Sequence, residues 1–414
     1  MGAEGGDERP PLTPPETSTP ACRYRRVVIR KAGGYEELRL EGEEDGRAPP
    51  LGTVGADMDG RQVRPPEADA VGREEVRVAV AYAGVNYADV CVRWGLYGSA
   101  KRYVGRNGFP ITPGFEVAGT VLSVGSAVTH VRPGDRVLAV TLFGAYSTHL
   151  VCKANRVFRL AGEGEDLARE SGFPDLATAA GFLCVYLTAY YAAFKCAQLG
   201  SGHAVLVHSA AGGVGTALCQ LAKRAARCGL VVGVVGHPSK VEAAKAAGCD
   251  AVIDKSTVRD WEGAARRLAE SSGGFDAVMD ANGGESLRAG YRLLRPTGKL
   301  VTYGSHTLLP KQGGVLGLVA WAGIIRGWLM TPSFDPMKLT GDNKSVLGFN
   351  LSFLFDRDDL LEQSMDEMLA WLREGTIAPV PVTCVVPLPD VADAHRRLES
   401  GLTTGKVVLD CTRI

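Results

Sequence analysis

The spacing of apolar residues changes character near residue 183. Before that point the apolar positions come in short runs of period two, as at 76–82, where valines at 76, 78 and 80 alternate with Arg77 and small residues. Such alternation is the pattern of a half-buried strand. Runs at 24–30, 117–124, 136–140 and 145–150 continue the series, punctuated by the Pro113-Gly114 and Pro133-Gly134 turn dipeptides. The first part therefore reads as a β-rich domain.

Beyond residue 183 short, largely apolar runs at 204–208, 230–235, 251–253 and 277–280 alternate with helix-like stretches at 187–198, 214–228, 240–247 and 261–271. Apolar runs of that length suit strands buried on both faces. Their alternation with helices is what a doubly wound parallel sheet requires, so the fold class is α/β. A helix at 358–374 and a strand at 406–410 close the chain.

Composition narrows this picture. The 414 residues carry 46 Lys+Arg and 46 Asp+Glu, and this neutrality argues against nucleic acid as the main partner. Residues 1–22 hold almost no large apolar side chains and are expected to be a disordered tail, while 41–73 is expected to include a surface insertion. The stretch 315–325, short and containing two glycines, is expected to be a buried helix or interfacial segment. Ten scattered cysteines without a C-x-x-C pair read as reduced thiols, which fits a cytoplasmic setting.

The first of these runs leads into HSAAGGVG at 208–215 and then a helix. On the G-x-G-x-x-G template Ala210, Gly212 and Gly215 occupy the three glycine places, and Gly213 and Val214 lie between them. Gly212 lets the backbone approach a pyrophosphate, Gly215 lets the helix pack on its strand, and the phosphates meet the positive helix end. An NAD site would place Asp or Glu at the end of the second strand. Here 236–240 reads GHPSK, where Ser239 and Lys240 can donate to a 2′-phosphate instead, so NADPH is the expected cofactor. Lys255 and Arg259 add positive charge nearby in sequence.

These residues, with GVNYAD at 84–89, Gly95-Leu96-Tyr97, TPGFEVAG at 112–119, PGDRV at 133–137, LTAY at 187–190, VTYG at 301–304, GFN at 348–350 and GKVVL at 405–409, resemble the medium-chain dehydrogenase/reductase superfamily. Within it the likeness is to the zinc-independent quinone oxidoreductase branch, which is zeta-crystallin-like, and there to the vesicle amine transport group. The resemblance implies a GroES-like β-rich catalytic domain at 23–183 and 352–414 around a Rossmann NADPH-binding domain at 184–351. It implies hydride transfer from NADPH to a quinone, an enone or an enoyl thioester. By position it places Thr188 near the nicotinamide, Tyr303, Gly304, Phe349 and Asn350 near its ribose or amide, and Lys406 beside the cofactor.

The same resemblance puts Asn86 and Phe115 where zinc-dependent relatives hold Cys and His, so no metal is expected. It makes Tyr97 the candidate proton donor, while Cys91 stands where quinone reductases of the branch keep a second tyrosine. Asn86 is a candidate to bond substrate or cofactor phosphate, and Asp89 and Glu116 are expected only to orient backbone. The basic insertion at 101–108 reads as a lid over an acidic substrate or as a variable loop. An alternative function is a low-turnover NADPH-binding protein acting at membranes or in complexes, with 316–330 as an interfacial patch. That patch and an edge strand also make a homodimer the expected assembly.

Overall fold

The computed structural model describes residues 24–42, 71–104, 107–308, 325, 327, 329–354 and 357–414. Six strands form one sheet in the order Ala251–Asp254, Leu230–Val235, Ala204–His208, Phe275–Asp280, Leu294–Thr302 and Ser345–Gly348. Every neighbouring pair is parallel. The first strand in the chain thus lies third in the sheet, and the winding reverses between it and the fourth, which opens a crevice at the carboxyl ends. The apolar runs are explained by cover on both faces: Val205 and Val207 enter one buried cluster, Ala204 and Leu206 another.

A second, seven-stranded sheet is built around the long strand Glu75–Val85. Glu116–Val124 flanks it on one side, followed by Arg136–Val140 and Val157–Ala161. On the other side His149–Lys153 pairs with its first half and Lys406–Asp410 with its second, Val407 opposite Val85. The last strand of the chain therefore returns to this second sheet, built mostly by the first part of the chain, and Val382–Pro387 adds to it in parallel. Between the sheets, helix Leu183–Tyr190 packs on helix Gly213–Gln220, and one buried cluster runs from Ile29 and Phe115 through Phe182 to Leu218 and Val231.

Several sequence expectations shift. The strand expected at 145–150 is displaced to His149–Lys153. The Ala145 and Tyr146 N–H groups instead donate to Gly114 and Pro113, so this segment braces a turn before it enters a ladder. The helix expected at 187–198 starts at Leu183 and widens into a π-helical turn at Tyr191–Cys196. The one expected at 214–228 starts at Gly213 and widens at Leu221–Ala225. The tail 1–22, residues 43–70 of the insertion at 41–73 and nearly all of 315–325 lie outside the described residues. Every described cysteine is a free thiol. Among the described residues no single helix is long and apolar enough to cross a bilayer.

Candidate active site

Strand Ala204–His208 delivers the glycine-rich turn to the crevice, and Gly212 caps the helix that follows. The Gly212 N–H donates to the Ser209 carbonyl at 2.9 Å, closing the turn. Ser209 bends through a positive φ of 55°, and its hydroxyl donates to Asn282 Oδ1 at 3.1 Å, beyond the end of strand Phe275–Asp280. Asp280 in turn accepts the Asn282 and Gly283 N–H groups, each at 2.7 Å. Gly215 admits no side chain, because a Cβ there would collide with the Ser209 carbonyl oxygen and stand 2.8 Å from the Ala210 Cα. The first-turn N–H groups at 213–215 lie where an α-helix offers them no internal acceptor, a position suited to receive an anion.

At the end of strand Leu230–Val235 the space is open, since a Cβ on Gly236 would meet nothing within 4 Å. Ser239 is exposed, with its hydroxyl 2.8 Å from His237 Nδ1. Lys240 is half-buried with no acidic partner among the described residues, and burial holds its ammonium below the usual lysine range. Lys255 follows the neighbouring strand, its Nζ 5.6 Å from the centre of the Trp261 ring.

The opposite wall is aromatic. Tyr97 meets Phe115 edge-on at 5.6 Å and Phe143 at 6.5 Å. Its hydroxyl donates to Asn350 Oδ1 at 3.3 Å, just past strand Ser345–Gly348. Phe349 packs against Tyr303 at 6.1 Å and Tyr191 at 4.7 Å. Gly304 follows Tyr303, and a Cβ there would stand 2.7 Å from the Ala281 carbonyl. The structure thus brings Tyr97, Tyr303, Gly304, Phe349 and Asn350 into one region. Thr188 stands half-buried on helix Leu183–Tyr190, its hydroxyl bonded back to the Cys184 carbonyl at 2.7 Å. Burial raises the Tyr97 phenol above its ordinary range, so it is protonated at neutral pH.

Asn86 and Lys406 meet at a buried carboxylate, Glu116. The Asn86 amide donates to Glu116 Oε1 at 2.8 Å and accepts from Lys406 Nζ at 2.8 Å, so its polar ends already have protein partners. The Lys406 ammonium also donates to Glu116 Oε1 at 2.9 Å and the Val85 carbonyl at 3.0 Å. A buried ammonium requires such acceptors, and only the lysine stem reaches the glycine-rich turn, at Gly213. Asp89 accepts the Asn86 and Gly114 N–H groups and the Tyr146 hydroxyl, with burial pushing its carboxyl up to about 7. Among the described residues no group of three or more His, Cys, Asp or Glu side chains is placed to hold a metal ion.

Residues 72–186 match the alcohol dehydrogenase GroES-like domain, and residues 247–409 match the zinc-binding dehydrogenase family. The human synaptic vesicle membrane protein VAT-1 homolog is 34% identical over 385 residues, covering 93% of this chain and 86% of that protein. The chain belongs to the quinone oxidoreductase/VAT-1 group of medium-chain dehydrogenases/reductases. Among solved structures, Escherichia coli quinone oxidoreductase complexed with NADPH superposes with a TM-score of 0.68 at 26% identity, over 93% of this chain and 99% of that one. A mycobacterial protein complexed with NADPH gives 0.69 at 26%, over the same shares.

Against this medium-chain dehydrogenase/reductase frame, sequence reasoning missed Phe143, Asn282 and Ser352. Ser352 donates twice to Asn350 Oδ1, at 3.0 Å through its N–H and at 2.8 Å through its hydroxyl, and so fixes the Tyr97 partner. None of the three lies in a short motif. The signal that could have found Glu116 as more than a backbone brace is a carboxylate inside the TPGFEVAG run at 112–119, where the chain otherwise turns apolar.

Proposed function

We propose that the chain is an NADPH-dependent, zinc-independent reductase that delivers hydride to a quinone, an enone or an enoyl thioester. The observation that carries this reading is the Gly212–Gly215 turn at the reversal point of the parallel sheet, beside a second-strand end with Lys240 and no carboxylate. The two relatives described with NADPH support it. We read 184–351 as the nucleotide-binding unit and 23–183 with 352–414 as the substrate unit.

Ala210, Gly212, Gly213, Val214 and Gly215 would hold the cofactor pyrophosphate, and Ser239, Lys240 and Lys255 its 2′-phosphate. Thr188, Tyr303, Gly304, Phe349 and Asn350 would surround its nicotinamide end. When bound, the cofactor supplies the hydride. Tyr97, Phe115 and Phe143, packed edge-on and tilted against one another, would present an apolar lining to a conjugated substrate and exclude water from it. The Tyr97 phenol holds a proton for the oxygen or carbon that gains negative charge on the reduced substrate. Doing without zinc is supported by donor chemistry: Phe115 offers no lone pair, and the Asn86 oxygen is taken by Lys406.

The test is oxidation of NADPH, followed at equal NADH, across quinones, enones and enoyl thioesters. Turnover with NADPH on at least one class is expected, and no turnover on any of them would sink the reading. A second reading, action at membranes, draws on the vesicle protein relative and on the exposed Ile325 and Leu329. Flotation with anionic liposomes separates it from the first. The edge strand Ser345–Gly348, paired on one side only among the described residues, would join two copies of the chain, which sedimentation would show as a dimer.

A further inference from the structure

Glu116, Lys406 and Asn86 bond to one another in a closed triangle between the two sheets. Glu116 is wholly buried and Lys406 is 3% exposed. Three Lys406 N–H donors meet three acceptors, which accounts for the whole ammonium. Desolvating such a pair consumes most of what its attraction returns, and an apolar trio of equal volume would hold the fold as well. Stability alone is therefore a weak reason for the pair to exist.

Its attachments give a better one. Glu116 Oε2 accepts the Cys184 N–H at 2.8 Å, in the first turn of the helix that carries Thr188. A carboxylate there also favours the helix dipole. Asn86 begins helix Tyr87–Arg93, from which the chain runs to Tyr97. Gly405, next to Lys406, donates its N–H to the Ala211 carbonyl inside the glycine-rich turn at 3.0 Å. The Lys406 stem lies on Gly213, where a Cβ would come within 3.2 Å of its Cδ. Gly84 completes the fit, since a Cβ there would press on the Glu116 carboxylate and stand 2.5 Å from the Ala180 carbonyl. The segment leading to Tyr97 and the Thr188 helix bond to this buried trio, and the nucleotide turn is held by the Lys406 stem and the Gly405 N–H beside it.

We propose that Glu116, Lys406 and Asn86 are positioning residues that clamp the substrate wall to the nucleotide wall and so set the approach of substrate to hydride donor, touching neither. This rests on the reductase reading above. Small misplacement of reacting groups is costly, about 100-fold in rate for roughly 1 Å. The clamp therefore shows in kcat and leaves binding nearly alone.

The experiment measures kcat, the KM of the best quinone or enone, and NADPH affinity by fluorescence, with thermal unfolding as a fold check. Lys406→Met is expected to lose about 100-fold in kcat while KM and the NADPH dissociation constant move less than about threefold. Lys406→Arg, with a cation that can reach the same acceptors, is expected to recover about tenfold of that loss. Should Lys406→Met fail to fold because Glu116 is left unpaired, the double variant Glu116→Gln/Lys406→Met carries the test, since it buries no lone charge. A folded variant with wild-type kcat, or a loss confined to KM or NADPH affinity, overturns the clamp. If the wild type neither binds NADPH nor turns over, the reductase reading fails separately. A crystal structure of the double variant then decides: helix Leu183–Tyr190 shifted against the 209–215 turn supports the clamp, and an unmoved helix refutes it.

Discussion

The two walls of the proposed site are made in different ways. The nucleotide wall is one continuous segment, strand, turn and helix, whose work is done by backbone and by the lack of side chains at Gly212 and Gly215. The substrate wall is assembled from side chains that stand far apart in the chain: Tyr97, Phe115, Phe143 and Asn350 meet only in the folded protein. A local device tolerates change elsewhere but no change in itself. A dispersed one spreads its dependence over many contacts, and each substitution removes only a part.

The largest effect should follow from breaking the local device. Gly215→Val drives a branched side chain into the Ser209 carbonyl and the Ala210 Cα, neither of which can move without opening the turn. Overpacking against backbone costs about 3 kcal/mol, so NADPH affinity should fall more than about 100-fold in a fluorescence titration. Retention of wild-type affinity would mean that the cofactor does not use this turn.

On the dispersed side, Tyr97→Phe keeps the aromatic packing and deletes only the hydroxyl bonded to Asn350. Loss of a proton donor predicts a fall in kcat of about 100-fold with KM little changed. Unchanged turnover would reduce Tyr97 to a wall residue. Lys240→Ala should be milder still, weakening NADPH by about tenfold and leaving NADH unaffected, the difference being a single charge-assisted contact. Equal losses for both cofactors would place Lys240 outside the 2′-phosphate site.

The smallest effect concerns pH. Burial holds His208, beneath the nucleotide wall, and His149, in the other sheet, down to about 4, and His395 well below its usual range. Each is neutral in the fold but titrates near 6.5 once unfolded, so the unfolded state binds more protons between these values. The stability they contribute is present above pH 6.5 and is lost as pH falls towards 4. His208→Gln should flatten the fall in unfolding temperature over that range, and an unaltered slope would show that His208 titrates normally in the fold.

The same contrast explains what could be read in advance. The parallel-sheet strands were legible because cover on both faces forces continuous apolar runs, and the turn was legible because backbone recognition demands glycine at set intervals. Strand Leu294–Thr302 was not, since Pro296 and Gly298 interrupt it, nor was the short, poorly buried edge strand Ser345–Gly348, and Val382–Pro387, which ends in a proline, lies at the margin of its sheet, where such residues are tolerated. Tyr97 was legible only through family resemblance. Its partners Phe143 and Ser352 carry no local signature, and the roles of Asn86 and Lys406 depend on a carboxylate 30 and 290 positions away from them.

The central claim is that the 209–215 turn and Lys240 hold NADPH. Its most direct test is a pair of fluorescence titrations of the purified protein, one with NADPH and one with NADH. Saturable NADPH binding, with NADH weaker by about tenfold or more, is the predicted result. No binding of either nucleotide, or a preference for NADH, would contradict it.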